Sequence, residues 1–139
     1  MTIQAHRLSA DGAFMLRFQD DVVEDDLDWL TRFLMSADAR ADRIAIVDAT
    51  LTRDVDLTLR EFMGFIGRLR NALATRDDML TVYVVTSQDA VRTFLKMFSH
   101  ITARRELVKL SVFDSVGVAL NAAGIPPRHF AAAVPTRAY

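Results

Sequence analysis

The chain is predicted to fold as an α/β domain, in the element order β-β-α-β-α-β-α-β-α, with helices packed against a mixed sheet. Three observations carry this. An alternating pair of apolar runs flanks Ala10-Asp11-Gly12 near the start. Three short runs rich in β-branched residues follow, RIAIV, LTVYVV and LVKLSVF. Between and after them lie segments whose apolar residues recur at the helical period of 3.6. Strands alternating with helices after an opening hairpin imply parallel pairing over the later strands, with right-handed crossovers.

Residues 3–9 (IQAHRLS) and 13–19 (AFMLRFQ) form the hairpin, turned where Asp and Gly are favoured. Phe14, Leu16 and Phe18 alternate with Met15, Arg17 and Gln19, so one face of the second strand is apolar. The first helix is expected to start on an acidic capping box, Asp21 with Glu24. Val23, Leu27, Leu30 and Leu34 are its buried stripe, and Glu24, Asp25, Asp26 and Asp28 complement the positive end of its dipole. Arg43–Val47 is an apolar run suited to an interior strand, closed by Asp48-Ala49-Thr50, and an acidic, hydroxyl-rich turn (LTRDVD) follows.

The second helix is the best marked. Thr58 and Glu61 form a T-x-x-E box, Leu57 can staple onto Phe62, and Phe62, Phe65, Ile66, Leu69 and Leu73 make the stripe. Gly64 and Gly67 are read as allowing close packing on one side. MLTVYVVT is a central strand, after which Ser87 is the expected cap for QDAVRTFLKMFSHI. Val108, Leu110 and Val112 alternate with Lys109 and Ser111, as on an edge strand. Asp114 or Ser115 caps a last helix that Gly124 ends. Residues 1–124 therefore make one domain, and 125–139, with all three prolines, read as a C-terminal tail.

With 139 residues, 51% of them hydrophobic, the chain can bury a proper core. A net charge of −1, from 17 basic and 18 acidic residues well mixed, gives no electrostatic case for nucleic acid, which asks for a basic patch or stripe. The absence of cysteine removes disulfides, thiolate metal sites and Cys nucleophiles together. The N-terminal residues lack the apolar core of a signal peptide and no stretch is long enough for a membrane span, so a cytoplasmic protein is expected.

Candidate chemistry is thin. His6, His100 and His129 are scattered, and no metalloprotease, nucleophile-elbow or phosphate-loop pattern occurs. No enzyme activity, metal or cofactor is expected. The mouth of a strand-to-helix turn is where ligands and partners dock in α/β domains. Asp48, Thr50, Thr52, Asp54, Asp56, Leu57 and Thr58 are therefore the candidate binding turn. The three aspartates have oxygen ligands suited to a hard cation, but turn aspartates commonly bond their own backbone, and that reading is preferred. Thr58 is either a helix cap or a phosphoacceptor, and the cap is preferred. Phe14, Phe18, Phe62, Phe65, Phe94 and Phe98 can line an apolar pocket, although the same stripes must face the sheet, which favours core packing. Trp29 and Phe33 lie beside the first helix's stripe and are expected to form an exposed patch for a partner or a homodimer contact.

The element order, the strand IAIVDAT and the segments LTVYVVTSQDAVRTFLKMFSHI and LSVFDSVGVALNAAG resemble the SpoIIAA-like branch of small bacterial STAS-like proteins. That branch is fold-related to CRAL-TRIO lipid-transfer domains. Arg92, Met97 and Phe98 match its R-x-x-x-x-M-F helix, and Val112, Phe113, Ser115, Ala119 and Leu120 its closing V-F-x-s-x-x-x-A-L. The resemblance covers about residues 3–124 and implies a STAS-like sandwich. In the related anti-sigma factor antagonists a Ser following Asp in the turn is phosphorylated. Here Asp56 holds the Asp position, Leu57 stands in place of that Ser, Thr58 comes one position later, and Leu59 replaces the glycine. The resemblance thus implies a non-catalytic regulatory protein-interaction module without the phosphoacceptor Ser. The alternative is a carrier or sensor of a small apolar or lipid-like ligand.

Overall fold

In the computed structural model of the chain, residues 2–8, 12–126 and 134–138 are described. The alternating runs become strands β1 (Thr2–Leu8), β2 (Ala13–Val22), β3 (Ile44–Val55), β4 (Thr81–Val85) and β5 (Lys109–Phe113). The amphipathic runs become helices α1 (Glu24–Met35), α3 (Leu59–Leu73), α4 (Asp89–Ile101) and α5 (Val116–Ala123), with a single-turn α2 (Ala37–Arg40) after α1. This is the expected α/β order.

A sixth strand, β6 (Val134–Ala138), corrects the reading of 125–139 as a tail without further elements. It pairs antiparallel with β1, Gln4 opposite Ala138 and Arg7 opposite Val134. Pro135 argued against a strand in sequence, yet an edge strand tolerates proline because its outward side needs no donor. His129 and Ala10-Asp11 lie outside the described residues.

The sheet order is β5-β4-β3-β2-β1-β6, with β2, β3, β4 and β5 mutually parallel and β1 antiparallel to both neighbours. Each parallel step moves to the same side, so right-handed crossovers place α1, α3 and α4 together on one face. Their apolar stripes meet Phe14, Leu16, Phe18, Ala45 and Leu80 in the larger core. The other face is met by α5, where Leu120 and Ile125 pack with Leu8, Ala13, Met15 and Ile46.

Two boundaries differ from expectation. β3 does not stop near Asp48 but runs on to Val55, so most of LTRDVD is strand. It outlasts β4, which pairs only with Ile44–Asp48, because β2 also continues and Val22 lies opposite Val55. Asp21 is consequently a strand residue and caps nothing. α1 starts after Val23, whose N–H donates to the Asp26 carboxylate at 2.8 Å.

Local caps explain the other helix starts. At α3 the Thr58 hydroxyl accepts from Glu61 N–H at 3.1 Å, and the Glu61 carboxylate accepts from Thr58 N–H at 2.8 Å, as expected. α4 begins after Gln88, and the buried Thr86 hydroxyl accepts from Gln88 N–H at 3.0 Å, so Ser87 is not the cap. Ser115 caps α5, and Gly124 ends it at φ 73°, the left-handed region glycine permits. Gly64 and Gly67 serve no close approach. A Cβ at Gly67 would meet nothing within 4 Å, and one at Gly64 only the flexible end of Arg68.

Candidate functional site

The helix-covered face of the sheet does not close completely. Between β2, β3 and β4 below and α1, α3 and α4 above lies a cavity of about 140 Å³ into which no polar atom is exposed. Its floor is set by strand alternation. Phe14, Leu16 and Phe18 of β2 point up, as do Ala45, Val47 and Ala49 of β3. Its roof comes from Leu27, Leu30 and Leu34 of α1, Phe65 and Leu69 of α3, and Phe94, Leu95 and Phe98 of α4. Two small residues on the floor, Ala45 and Ala49, leave room that a larger β-branched side chain would take. An empty void of this volume costs about 3 kcal/mol at roughly 24 cal/mol per Å³.

The candidate binding turn is rearranged by the length of β3. The β2–β3 register shifts between Arg17 and Gln19 and again between Asp20 and Asp21, leaving extra residues on β3. Such bulges re-phase which side chains face the helices. Thr52 and Val55 thereby join the cavity wall, and Asp48 faces the opposite side. Thr52 is buried and its hydroxyl donates to the Phe18 carbonyl at 3.0 Å. Asp48 is buried too. Its carboxylate accepts from Arg17 Nε at 3.0 Å and, through the other oxygen, from the Thr50 N–H and hydroxyl at 3.0 and 2.6 Å. Asp54 and Asp56 stay exposed, the former accepting from Val55 N–H. Six residue steps of extended chain separate Asp48 from Asp54, roughly 20 Å, so the three aspartates do not converge. Among the described residues no group of three or more acidic or histidine side chains could hold a metal ion.

The Asp56–Thr58 corner that remains is small. Asp56 N–H donates to the Val22 carbonyl, Leu57 is half-buried against the larger core, and the Thr58 hydroxyl serves the α3 cap. The residues singled out at 48–58 thus do not form one surface. Part of the segment lines the cavity, part sits on the other face, and part is solvent-exposed.

Trp29 and Phe33 correct the expectation of an exposed patch. Trp29 is 4% exposed and Phe33 packs against the core. Their rings stack at 5.1 Å, and Phe33 meets Phe14 edge-on at 5.1 Å. Phe33 rests on Phe14 of β2 and Trp29 stacks on Phe33, so the helix buries a broader arc than the narrow stripe its leucines suggest. The sequence-based ground for a dimer contact at these residues is gone.

Of the six phenylalanines offered for a pocket, Phe14, Phe18, Phe65, Phe94 and Phe98 line the cavity. Phe62 instead packs on Phe94, centroids 5.2 Å apart. At the carboxyl ends of the parallel strands, Arg92 of α4 donates to the Thr86 carbonyl at 3.2 Å and to Asp114 at 2.6 Å. It ties the α4 start to the loop before α5. At the opposite end Arg76 donates to the carbonyls of Leu34, Ala39 and Asp42, holding α1 and α2 to the end of α3. Burial pushes its guanidinium below the usual arginine range, opposed by the nearby Asp42.

Two further titratable groups are displaced. Burial raises the Asp26 carboxyl, aided by Asp25 and opposed by the Val23 N–H it accepts. Burial, and then the charge of Arg17, lower His6. Neither side chain lines the cavity. No protein-family model and no curated protein matches the chain. Among the described residues no helix is long and apolar enough to cross a membrane.

Proposed function

We propose that the protein binds a small apolar molecule in the cavity between its sheet and helices α1, α3 and α4, as a cytoplasmic carrier or sensor without chemistry of its own. The supporting observation is the cavity itself. Native cores are close-packed, and their voids are few and small. A sizeable apolar space therefore asks for an occupant that offsets its cost. The segment singled out for docking contributes Ala49, Thr52 and Val55 to the wall, so an occupant would be sensed at the exposed end of β3.

Organic extraction of protein purified under gentle conditions, followed by gas chromatography and mass spectrometry, tests this reading. A compound recovered in proportion to native protein, and missing from a variant with the cavity filled by Ala45→Leu, is the expected result. Clean extracts together with no saturable binding of any apolar probe would end the proposal.

A second reading, a regulatory protein-interaction module of the SpoIIAA-like, STAS-like kind, draws on exposed apolar side chains. Leu51 is 54% and Leu59 67% exposed on either side of the Asp56–Thr58 corner, with Asp54 and Asp56 exposed between them in sequence. That combination suits a protein partner presenting apolar and basic side chains. On this reading Leu59→Asp abolishes capture of a specific partner while the melting temperature holds. Unchanged capture would remove Leu59 and this surface from consideration.

A further inference from the structure

The cavity's volume and lining together restrict the chemistry of what can occupy it. An apolar cavity of about 150 Å³ stays dry and takes up benzene or xenon, whereas pockets for drug-sized ligands run to about 300–1,000 Å³. At about 140 Å³ the space here belongs with the former. A long acyl chain does not fit wholly inside it.

The lining decides polarity. Every residue around the space is apolar except Thr52, whose hydroxyl donates to the Phe18 carbonyl at 3.0 Å and whose oxygen is not exposed to the space. A water needs two to four polar partners and finds none. A carbonyl or hydroxyl brought by a ligand would likewise lose its hydrogen bonds to water without replacement. A carboxylate would be worse placed, because no cation lines the site. Phe65, Phe94 and Phe98 line the space from α3 and α4, and aromatic side chains favour a flat ring in an offset or edge-on arrangement.

We infer that the occupant, on the reading that this cavity is a binding site, is a neutral hydrocarbon-like molecule of about one six-membered ring. The volume rules out complete burial of a long-chain lipid, and the apolar lining disfavours acids and polar aromatics.

The test is a titration of the full chain, with its Leu and Val methyls labelled for NMR, against toluene, phenol, benzoate and palmitate. Toluene is expected to shift the methyls of Leu69, Leu80 and Val84 saturably, leaving Leu8 and Val116 unmoved. Phenol should bind at least about tenfold more weakly, and benzoate and palmitate not at all. Binding of palmitate or benzoate at those methyls as tightly as toluene overturns the size and polarity inference while leaving an apolar-ligand site standing. Phenol equal to toluene likewise overturns the polarity restriction. No saturable shift with any of the four sinks this inference and the binding proposal together. Ala45→Leu should abolish toluene binding, and a folded variant that still binds toluene contradicts the placement. Should that variant not fold, Leu69→Ala enlarges the space and should admit naphthalene; its failure to do so counts equally against the inference.

Discussion

The two faces of the sheet are built from the same strands and end differently. On β2, Phe14, Leu16 and Phe18 face α1, α3 and α4, whereas Ala13, Met15 and Arg17 face the α5 side. Three helices sharing one roof must fill two helix-helix seams as well as the floor, and Ala45 and Ala49 leave that floor low. The α5 side has one short helix and smaller groups, and its buried charge is matched by the Arg17–Asp48 pair. One alternation in sequence thus yields a face with a cavity and a face with a paired charge.

Substitutions can break or sharpen that contrast. The largest effect is expected at Trp29, on the cavity face. Trp29→Ala removes a buried stacked ring and should cost about 3–5 kcal/mol in chemical denaturation. A loss under 1 kcal/mol would return Trp29 to the surface. On the other face, Arg17→Leu strands the Asp48 carboxylate in a buried setting. It should cost about 3 kcal/mol, the low end for breaking such a pair because Arg17 is partly exposed.

Next comes the same change made on both faces. Ala13→Leu puts a larger side chain at a fully buried position on the α5 side and should destabilise by about 1–3 kcal/mol. Ala45→Leu enters the cavity and should raise stability by about 1 kcal/mol, since it fills part of the void. Equal losses at both positions would erase the distinction between the faces. Thr58→Ala should cost about 1 kcal/mol through the lost cap and leave ligand binding untouched. A change in ligand affinity there would extend the site to the corner.

The smallest effect concerns pH. Asp26 is raised in the folded state, so the fold binds its proton more tightly than the unfolded chain does. Its contribution is most favourable at acid pH and is lost as pH rises from 3.8 through the raised folded value. Asp26→Asn should flatten that part of the stability–pH curve. A variant curve parallel to wild type would contradict the burial argument.

Much of the fold was legible because periodicity and caps are local. Thr58 with Glu61, Ser115 and Gly124 all do what their sequence neighbourhood predicts. The expectations that failed depended on partners distant in sequence. β3 runs past Asp48 because β2 continues alongside it, and neither run alone shows that. Trp29 is buried in a stack with Phe33, which rests on Phe14 of the distant β2, and β6 pairs along the edge that β1 offers. The cavity was only half legible. The phenylalanines were visible as a pocket or a core, but Ala45 and Ala49 signal open space only once the opposing helices are placed.

The face under α1, α3 and α4 holds a ligand-sized apolar space. Diffraction from crystals of the full chain pressurised with xenon tests it most directly. Xenon density is expected bounded by Phe65, Leu69, Ala45 and Val84, and none beside Met15 or Leu120. Contradiction would be a helix face closed to xenon, or xenon bound instead under α5.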